Sequence, residues 1–250
     1  MATPTSMGMN RTGMGVSPNQ AGRLLEISKA HPVQPGDEMA MARLRRDYTT
    51  QAQPVGTVPP PTSVKGVATS AVEMIKGRKP TVLIDKLGER LAFERTGVRL
   101  YEAVLVKFDA LGSWDGGPSR EQLMQIRNEE LEHFELLKQC IEQVGADPTA
   151  MTPSADITAM TAAGILGVIT DPRSTLPQAL QAVLVAERAD LEGWQLLIQL
   201  ADELSHDDMA RQFGQAEQVE ERHSAWVRAW LAKAVLQDAR REMRAGKSKR

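Results

Sequence analysis

The segment 126–140 reads IRNEELEHFELLKQC and carries two patterns on one predicted helix. Residues of its predicted buried face recur at alternating spacings of four and three, which is typical of a helix packed in a bundle. Glu130 and His133 interrupt this otherwise apolar face. Because residues three apart on a helix point to the same side, we expect both side chains to reach one buried point.

The arrangement occurs a second time in the segment 216–230, AEQVEERHSAWVRAW, where Glu220 and His223 interrupt the apolar face. A single carboxylate precedes each segment on an earlier predicted helix. Glu94 lies 36 residues before Glu130, and Glu187 lies 33 residues before Glu220. One Glu-x-x-His motif is weak evidence, but two similar halves predict a single shared site.

Four long helical patterns carry these residues near the middle of their apolar faces, which predicts a four-helix bundle. The low content of Phe, Trp and Tyr, 4% in total, also favours helix over sheet. In chain order the predicted faces are Ile84, Leu87, Leu91, Glu94, Val98, Tyr101, Leu105 and Phe108; Leu123, Ile126, Glu130, His133, Leu137, Cys140 and Val144; Leu180, Val183, Glu187, Asp190, Trp194, Leu197, Ala201 and Leu204; and Met209, Phe213, Ala216, Glu220, His223, Val227 and Trp230.

The connection between the second and third patterns, from Ala146 to Thr175, is too long for a hairpin and suits a crossover along the bundle. Its apolar run, Met160 to Ile169, is about half of the roughly 20 residues that cross a bilayer. We therefore predict a packing segment and no membrane partner. Ser205, followed by two aspartates, is the predicted N-cap of the last helix.

Four carboxylates in the middle of a bundle need compensation, because a buried unpaired charge costs several kcal/mol. Two divalent cations would balance the charge of four carboxylates. The four carboxylates and two neutral imidazoles could coordinate both ions. Two alternatives stay open at this point: solvated side chains on helix surfaces, or a buried hydrogen-bond network without metal. Metal analysis separates them.

With these motifs the chain resembles the ferritin-like di-metal carboxylate superfamily, which includes ferritins, bacterioferritins and rubrerythrins, over about residues 80 to 232. The resemblance implies an all-α, ferritin-like four-helix bundle with a long crossover between the second and third helices. It implies that Glu94 and Glu187 are single carboxylate ligands, and that Glu130 with His133 and Glu220 with His223 are pairs of a bridging carboxylate and a histidine. Tyr101 matches a tyrosine found near such sites, which implies a redox or proton role, although a core aromatic is the plainer interpretation.

The function that the resemblance implies is iron-dependent oxidoreduction at two Fe ions: oxidation of ferrous iron, or reduction of peroxide or dioxygen, in stress defence. A dimanganese catalase is the alternative enzyme, because oxygen and nitrogen ligands do not choose between iron and manganese. The third hypothesis is a non-catalytic metal-binding or cargo module docked through its terminal extensions. A rubrerythrin-type Cys-x-x-Cys domain is excluded by the single cysteine, so any electron donor must be external.

Two further acidic residues are predicted around the ligands. Asp190, on the third face, and Glu129, beside Glu130, are candidates for orienting the ligand histidines, as such histidines commonly require. Water or an arginine such as Arg95 or Arg188 is the alternative partner for either. A look-alike pair, Glu203 and His206, falls off the face at a helix junction and is assigned no metal.

The predicted domain organisation is a largely disordered N-terminal arm (1–62), a bundle with a short lead-in helix (63–235) and a basic C-terminal tail (236–250). The arm is rich in Gly, Pro, Ser and Thr, with helical patterning only around Ala21 to Ala30 and Glu38 to Tyr48. The lead-in helix is predicted from Val64 to Ile75. The arm is either a spacer or a docking peptide for a protein partner.

The formal net charge of −2 is unlike that of a nucleic-acid-binding domain, so no nucleic-acid partner is expected. Cys140 is the sole cysteine, which leaves no internal disulfide, and the first residues lack a secretory signal. Both features predict a cytoplasmic protein. The oligomeric state is left open, with a homodimer as one candidate.

Overall fold

The computed structural model describes residues 17–32, 36, 38–60 and 80–247. The chain divides into two compact units, of which the smaller covers Pro4–Gln53. Within it lie helix α1 (Pro18–Ala30) and helix α2 (Glu38–Gln51), where the sequence shows helical patterning. The larger unit contains the bundle. The predicted lead-in helix around Val64 to Ile75 lies outside the described residues, and the predicted domain boundaries stay predictions.

The described part of the larger unit contains five helices and no strand: α3 (Pro80–Leu111), α4 (Arg120–Gln143), α5 (Pro153–Thr170), α6 (Leu176–Glu203) and α7 (Asp207–Lys247). Short connections join α3 to α4 and α6 to α7, so these helices form two hairpins that pack together through α3 and α6. The crossover helix α5 links the hairpins and lies against α3 and α6. The all-α, ferritin-like prediction is confirmed.

Local sequence signals define most helix ends. Ser119 and Thr175 each form a reciprocal capping box with the Gln three residues later, which satisfies free N–H groups at the start of α4 and α6. Gly112 and Gly145 have φ angles of 68° and 82° directly after α3 and α4, in the left-handed region that glycine adopts without steric cost. These caps mark the end of α3, both ends of α4 and the start of α6.

The apolar core is divided into two clusters. One contains Leu87 of α3 and Leu137 of α4 with the C-terminal half of α6 and the start of α7, and the other contains Leu100 of α3 and Leu123 of α4 with the first half of α6. The predicted ligand residues fall between the two clusters on all four helices. Apolar packing at both ends therefore positions a polar layer at mid-height of the bundle.

Helix α5 presents much of its apolar surface outward. It packs through Ala155, Ala162 and Ile169, whereas Met160 is 69% exposed. Among the described helices it alone is long and apolar enough to cross a bilayer, with a mean hydropathy of 1.2 over 18 residues of which 22% are buried. Length and composition alone do not make it a membrane span, because core helices of soluble proteins meet the same test.

Candidate metal centre

The six predicted ligand residues come together in the polar layer, and none of them is more than 6% exposed. Each of the four bundle helices contributes to the layer. The residues are Glu94 from α3, Glu130 and His133 from α4, Glu187 from α6, and Glu220 and His223 from α7. This burial removes the first alternative, solvated side chains on helix surfaces.

His133 defines one half of the layer. Its Nδ1 atom lies 2.7 Å from Glu220 Oε1 and 3.7 Å from Glu94 Oε2. The edge of its ring packs against Trp194 at a centroid distance of 5.4 Å, which fixes the ring orientation. The imidazole therefore directs one nitrogen towards two carboxylates from two different helices.

His223 defines the other half, and its Nδ1 atom also faces carboxylates. This nitrogen donates a hydrogen bond to Glu220 Oε2 at 3.1 Å and lies 3.6 Å from Glu130 Oε1 and 4.0 Å from Glu187 Oε2. The two imidazole rings are 6.4 Å apart between centroids. The layer thus contains two adjacent positions with one histidine each.

The carboxylates divide between these positions as a two-metal site requires. Ligand atoms within 4.8 Å of one another form a group of Glu130, Glu187, Glu220 and His223 and a second group of Glu94, His133 and Glu220. Glu220 belongs to both groups and can bridge two ions. A third group places Glu130 beside Glu94 as well, so Glu130 can serve as the second bridge.

Unpaired buried atoms indicate that the layer is built for a cation. Glu94 Oε2 and Glu187 Oε2 are buried and accept no hydrogen bond, while His133 Nδ1 and Glu220 Oε1, which are 2.7 Å apart, are buried with only each other as close partners. Leaving such atoms unsatisfied costs about 1–3 kcal/mol each, and more for charged groups. A pair of divalent metal ions would satisfy all four at once, so this donor set fits a di-metal site better than a complete hydrogen-bond network.

Without a metal ion, the electrostatics of the layer favour protonated histidines. Burial lowers the pKa of His133, but the Glu220 and Glu94 carboxylates outweigh burial and raise it to about 10. For His223, burial likewise lowers the pKa, and Glu130 and Glu220 raise it to about 11. Burial raises the pKa of Glu220, but both histidines lower it to about 2. Metal-free Glu220 is therefore an anion between two imidazolium cations.

Two further carboxyl groups of the layer have raised pKa values. Burial, then repulsion by Glu220, raises the pKa of Glu187 to about 8, and the same two causes raise the pKa of Glu130 well above its ordinary value. The Tyr101 hydroxyl donates a hydrogen bond to Glu187 Oε1 at 2.5 Å, and burial followed by the Glu187 charge raises the pKa of this phenol. The predicted position of Tyr101 beside the site is thus observed, while its role stays a prediction.

A glycine on α3 makes room for one of the bridging carboxylates. A Cβ atom at Gly97 would overlap the Glu130 carboxylate, which lies directly against the α3 backbone. Any larger residue would force the Glu130 carboxylate to shift. The absence of a side chain at this position is therefore part of how the sequence builds the site.

Glu129 lies where it can orient a ligand histidine. His223 Nε2, on the outer side of the ring, donates to Glu129 Oε2 at 2.7 Å, and Arg222 donates to Glu129 Oε1 at 2.6 Å. This contact directs the opposite nitrogen of His223 into the layer. The arginine partner is Arg222, not Arg95 or Arg188.

Asp190 has a different partner from the one predicted for it. Its carboxylate is buried against the guanidinium of Arg90 and makes no recorded contact with a histidine within the described part of the chain. Arg90 itself is 4% exposed and also donates to Glu94 Oε1. The sequence analysis missed Arg90, although its position four residues before Glu94 on one helix is the spacing of an ion pair.

The look-alike motif does not join the centre. Glu203 is exposed at the end of α6, and His206 is half-buried in the turn before α7. Neither belongs to any group of clustered ligand atoms found in the described residues. Cys140 is a buried free thiol whose pKa burial raises to about 11, as expected for an inert core cysteine.

Comparison with known proteins identifies the class. The model of the ferritin-like domain family matches residues 84–236, a region that includes all of α4 and α6, most of α3 and α7, and the six clustered residues. The chain belongs to the ferritin-like family. No curated protein and no solved structure matches the sequence in the other two comparisons.

Proposed function

We propose that the protein is a di-iron oxidoreductase that oxidises ferrous iron with dioxygen or peroxide. The supporting observation is the buried layer in which four carboxylates and two imidazoles leave unsatisfied atoms around two adjacent positions. Glu94 and His133 would hold one ion and Glu187 and His223 the other. When bound, the iron pair supplies the electron transfer that these side chains cannot perform themselves.

The chain's own residues supply geometry, exclusion of water and a proton donor. The two apolar clusters above and below the layer keep bulk water away from the centre. The His223 to Glu129 hydrogen bond fixes the ring, and the Tyr101 hydroxyl donates a hydrogen bond to Glu187 Oε1. Tyr101 is an oxidisable side chain that is hydrogen-bonded to a ligand, which supports a redox role.

Iron is preferred to manganese on the family resemblance, since the donor set accepts either metal. We further propose an external electron donor and a reducing compartment such as the cytoplasm, because Cys140 is the sole cysteine and is a free, buried thiol. Repeated turnover as a peroxide or dioxygen reductase would need such a donor. We also propose that the protein forms a homodimer and that its N-terminal arm binds a protein partner.

The experiment is an anaerobic ferrous titration followed by addition of dioxygen or peroxide, with oxidation followed by ultraviolet absorption. Glu130→Ala or Glu220→Ala should abolish oxidation while circular dichroism still reports a helical protein, because the bundle is held by its apolar clusters. Glu203→Ala is the matched control and should oxidise iron at the wild-type rate. Unchanged oxidation in both ligand variants would remove these residues from the function.

The same preparation tests the manganese alternative. Protein that is inactive with iron but disproportionates peroxide after manganese loading would be a dimanganese catalase. Protein that binds metal and oxidises nothing would support the non-catalytic module. For the iron enzyme, Tyr101→Phe should slow oxidation and leave the amount of bound metal unchanged, because the hydroxyl contacts Glu187 without occupying a predicted ligand position.

A further inference from the structure

The two halves of the centre differ in fixed charge. Glu94 on α3 and Glu187 on α6 occupy corresponding positions, yet the residue four before Glu94 is Arg90, whereas the residue four before Glu187 is the apolar Val183. Both of these residues are buried. An arginine therefore precedes the single carboxylate ligand by one helical turn on one side of the layer only.

The Arg90 guanidinium is bound to carboxylates of the centre itself. It contacts Glu94 Oε1 and Asp190 Oδ1, and a ligand atom of Asp190 lies within 4.8 Å of ligand atoms of Glu94, Glu130 and Glu220. A guanidinium stays protonated in proteins. Arg90 is thus a permanent cation that occupies two carboxylates within reach of a metal ion.

Neighbouring aromatic rings and a glycine fix the position of this guanidinium. It lies over the rings of Phe93 and Trp194, with centroid distances of 4.7 Å and 5.3 Å. A Cβ atom at Gly193 would stand 2.5 Å from Arg90 Nη1, so the lack of a side chain there leaves the space that the guanidinium fills. The pair of Arg90 with Asp190 is therefore a fixed part of the site.

No comparable cation stands at the other half. Glu187 Oε1 accepts a hydrogen bond from the neutral Tyr101 hydroxyl, and no arginine or lysine among the described residues makes a recorded ion pair with Glu187. A metal ion at the position of Glu187 and His223 therefore meets no fixed positive charge in direct contact with its carboxylate.

We propose that Arg90 competes with a metal ion for Glu94 and Asp190, so that the position of Glu94 and His133 binds the second and weaker of two ions. This inference rests on the proposed di-metal function. An ion there must displace the guanidinium from Glu94 Oε1 or bind through Oε2 alone, the oxygen without a hydrogen-bond partner. Either route weakens binding relative to the position of Glu187 and His223, which fills first.

The test is an anaerobic titration of metal-free full-length protein with Co²⁺, followed by visible absorption and calorimetry. The wild type should bind two ions in two steps whose dissociation constants differ by about 10- to 100-fold, the range typical of residues that adjust metal ligands. Arg90→Gln should tighten the second step towards the first, whereas Arg90→Lys, which keeps the charge, should preserve the separation. Arg95→Gln, an exposed arginine on the same helix, is the control and should leave both constants unchanged.

A second variant keeps the test decisive if Arg90→Gln fails to fold with Asp190 unpaired. The double variant Arg90→Gln with Asp190→Asn removes both charges together and should bind two ions with nearly equal constants. Two unequal steps that persist in this double variant would overturn the role of Arg90, and so would equal steps in the wild type. Failure of the wild type to bind two ions would instead overturn the proposed di-metal function.

Discussion

Metal binding should displace protons from the centre, in a number that follows from its electrostatics. At pH 7 the metal-free site holds a proton on His133, His223 and Glu187, whose pKa values are raised to about 10, 11 and 8. Metal ligation requires neutral imidazoles and ionised carboxylates. One proton from each of these three groups gives about three protons released per chain when two ions bind.

Calorimetric titration with Mn²⁺ in two buffers of different ionisation enthalpy measures this number directly, and manganese avoids oxidation during the experiment. Raising the pH from 7 to 9 should lower the release by about one proton, because Glu187 then loses its proton before metal arrives. His133→Ala should remove about one more at pH 7, whereas Glu203→Ala with His206→Ala should change nothing. A release of less than about one proton per chain would refute the described charge state of the centre.

Three further predictions follow from the same structure. Gly97→Ala should lower metal affinity by about 10- to 100-fold because its Cβ displaces the Glu130 carboxylate, whereas Gly214→Ala, with open space around it, should not; equilibrium dialysis compares them. The metal-free protein should lose about 1.4 kcal/mol of stability per pH unit for each ligand histidine as the pH rises from 7 to 9. Each histidine has a folded-state pKa above its unfolded value of 6.5, so its stabilising contribution is complete below pH 6.5 and is lost as the pH rises to the folded-state pKa. Urea unfolding at several pH values measures the slope. Removing the N-terminal arm should leave ferrous oxidation unchanged but abolish capture of a docking partner, and loss of turnover would place the arm in the enzyme.

The polar layer could be located from the sequence because periodicity and burial are linked. A carboxylate or imidazole that falls at the spacing of the apolar residues must face the core. Buried carboxylates on four such helix faces need a shared partner that compensates their charge. Gly145 likewise indicated the end of α4, since its φ of 82° suits glycine. These signals depend on neighbouring residues or on helical periodicity, so they can be read without knowing how the helices pack together.

Arg90 could not be found in this way, because its position flanks the apolar face and an arginine there is normally solvated. Arg90 is buried by tertiary contacts. Its partner Asp190 lies on a different helix, and the space above Gly193 that it fills forms only when α3 and α6 pack together. The i, i+4 spacing to Glu94 was the only sequence signal. The same packing pairs Asp190 with Arg90, and an arginine was the alternative partner that the sequence left open for it.

The remaining differences concern helix ends. Ser205 is not the N-cap of α7, since the helix begins at Asp207 and Ser205 has a left-handed φ of 57° in the turn that closes α6. The predicted crossover contains the 18-residue helix α5, because Pro153 is accommodated in its first turn behind the Thr152 cap. Helix α7 extends through most of the predicted tail to Lys247, since no glycine or proline occurs between Gly214 and Gly246.

The central claim is that the buried layer binds two metal ions, and elemental analysis of the reconstituted protein tests it most directly. Metal-free protein loaded anaerobically with ferrous iron and freed of excess ions should contain about two iron ions per chain, as the paired ligand halves require. The same treatment of a Glu130→Ala, Glu220→Ala double variant should leave almost none. Less than half an ion per chain in the wild type would contradict the metal centre.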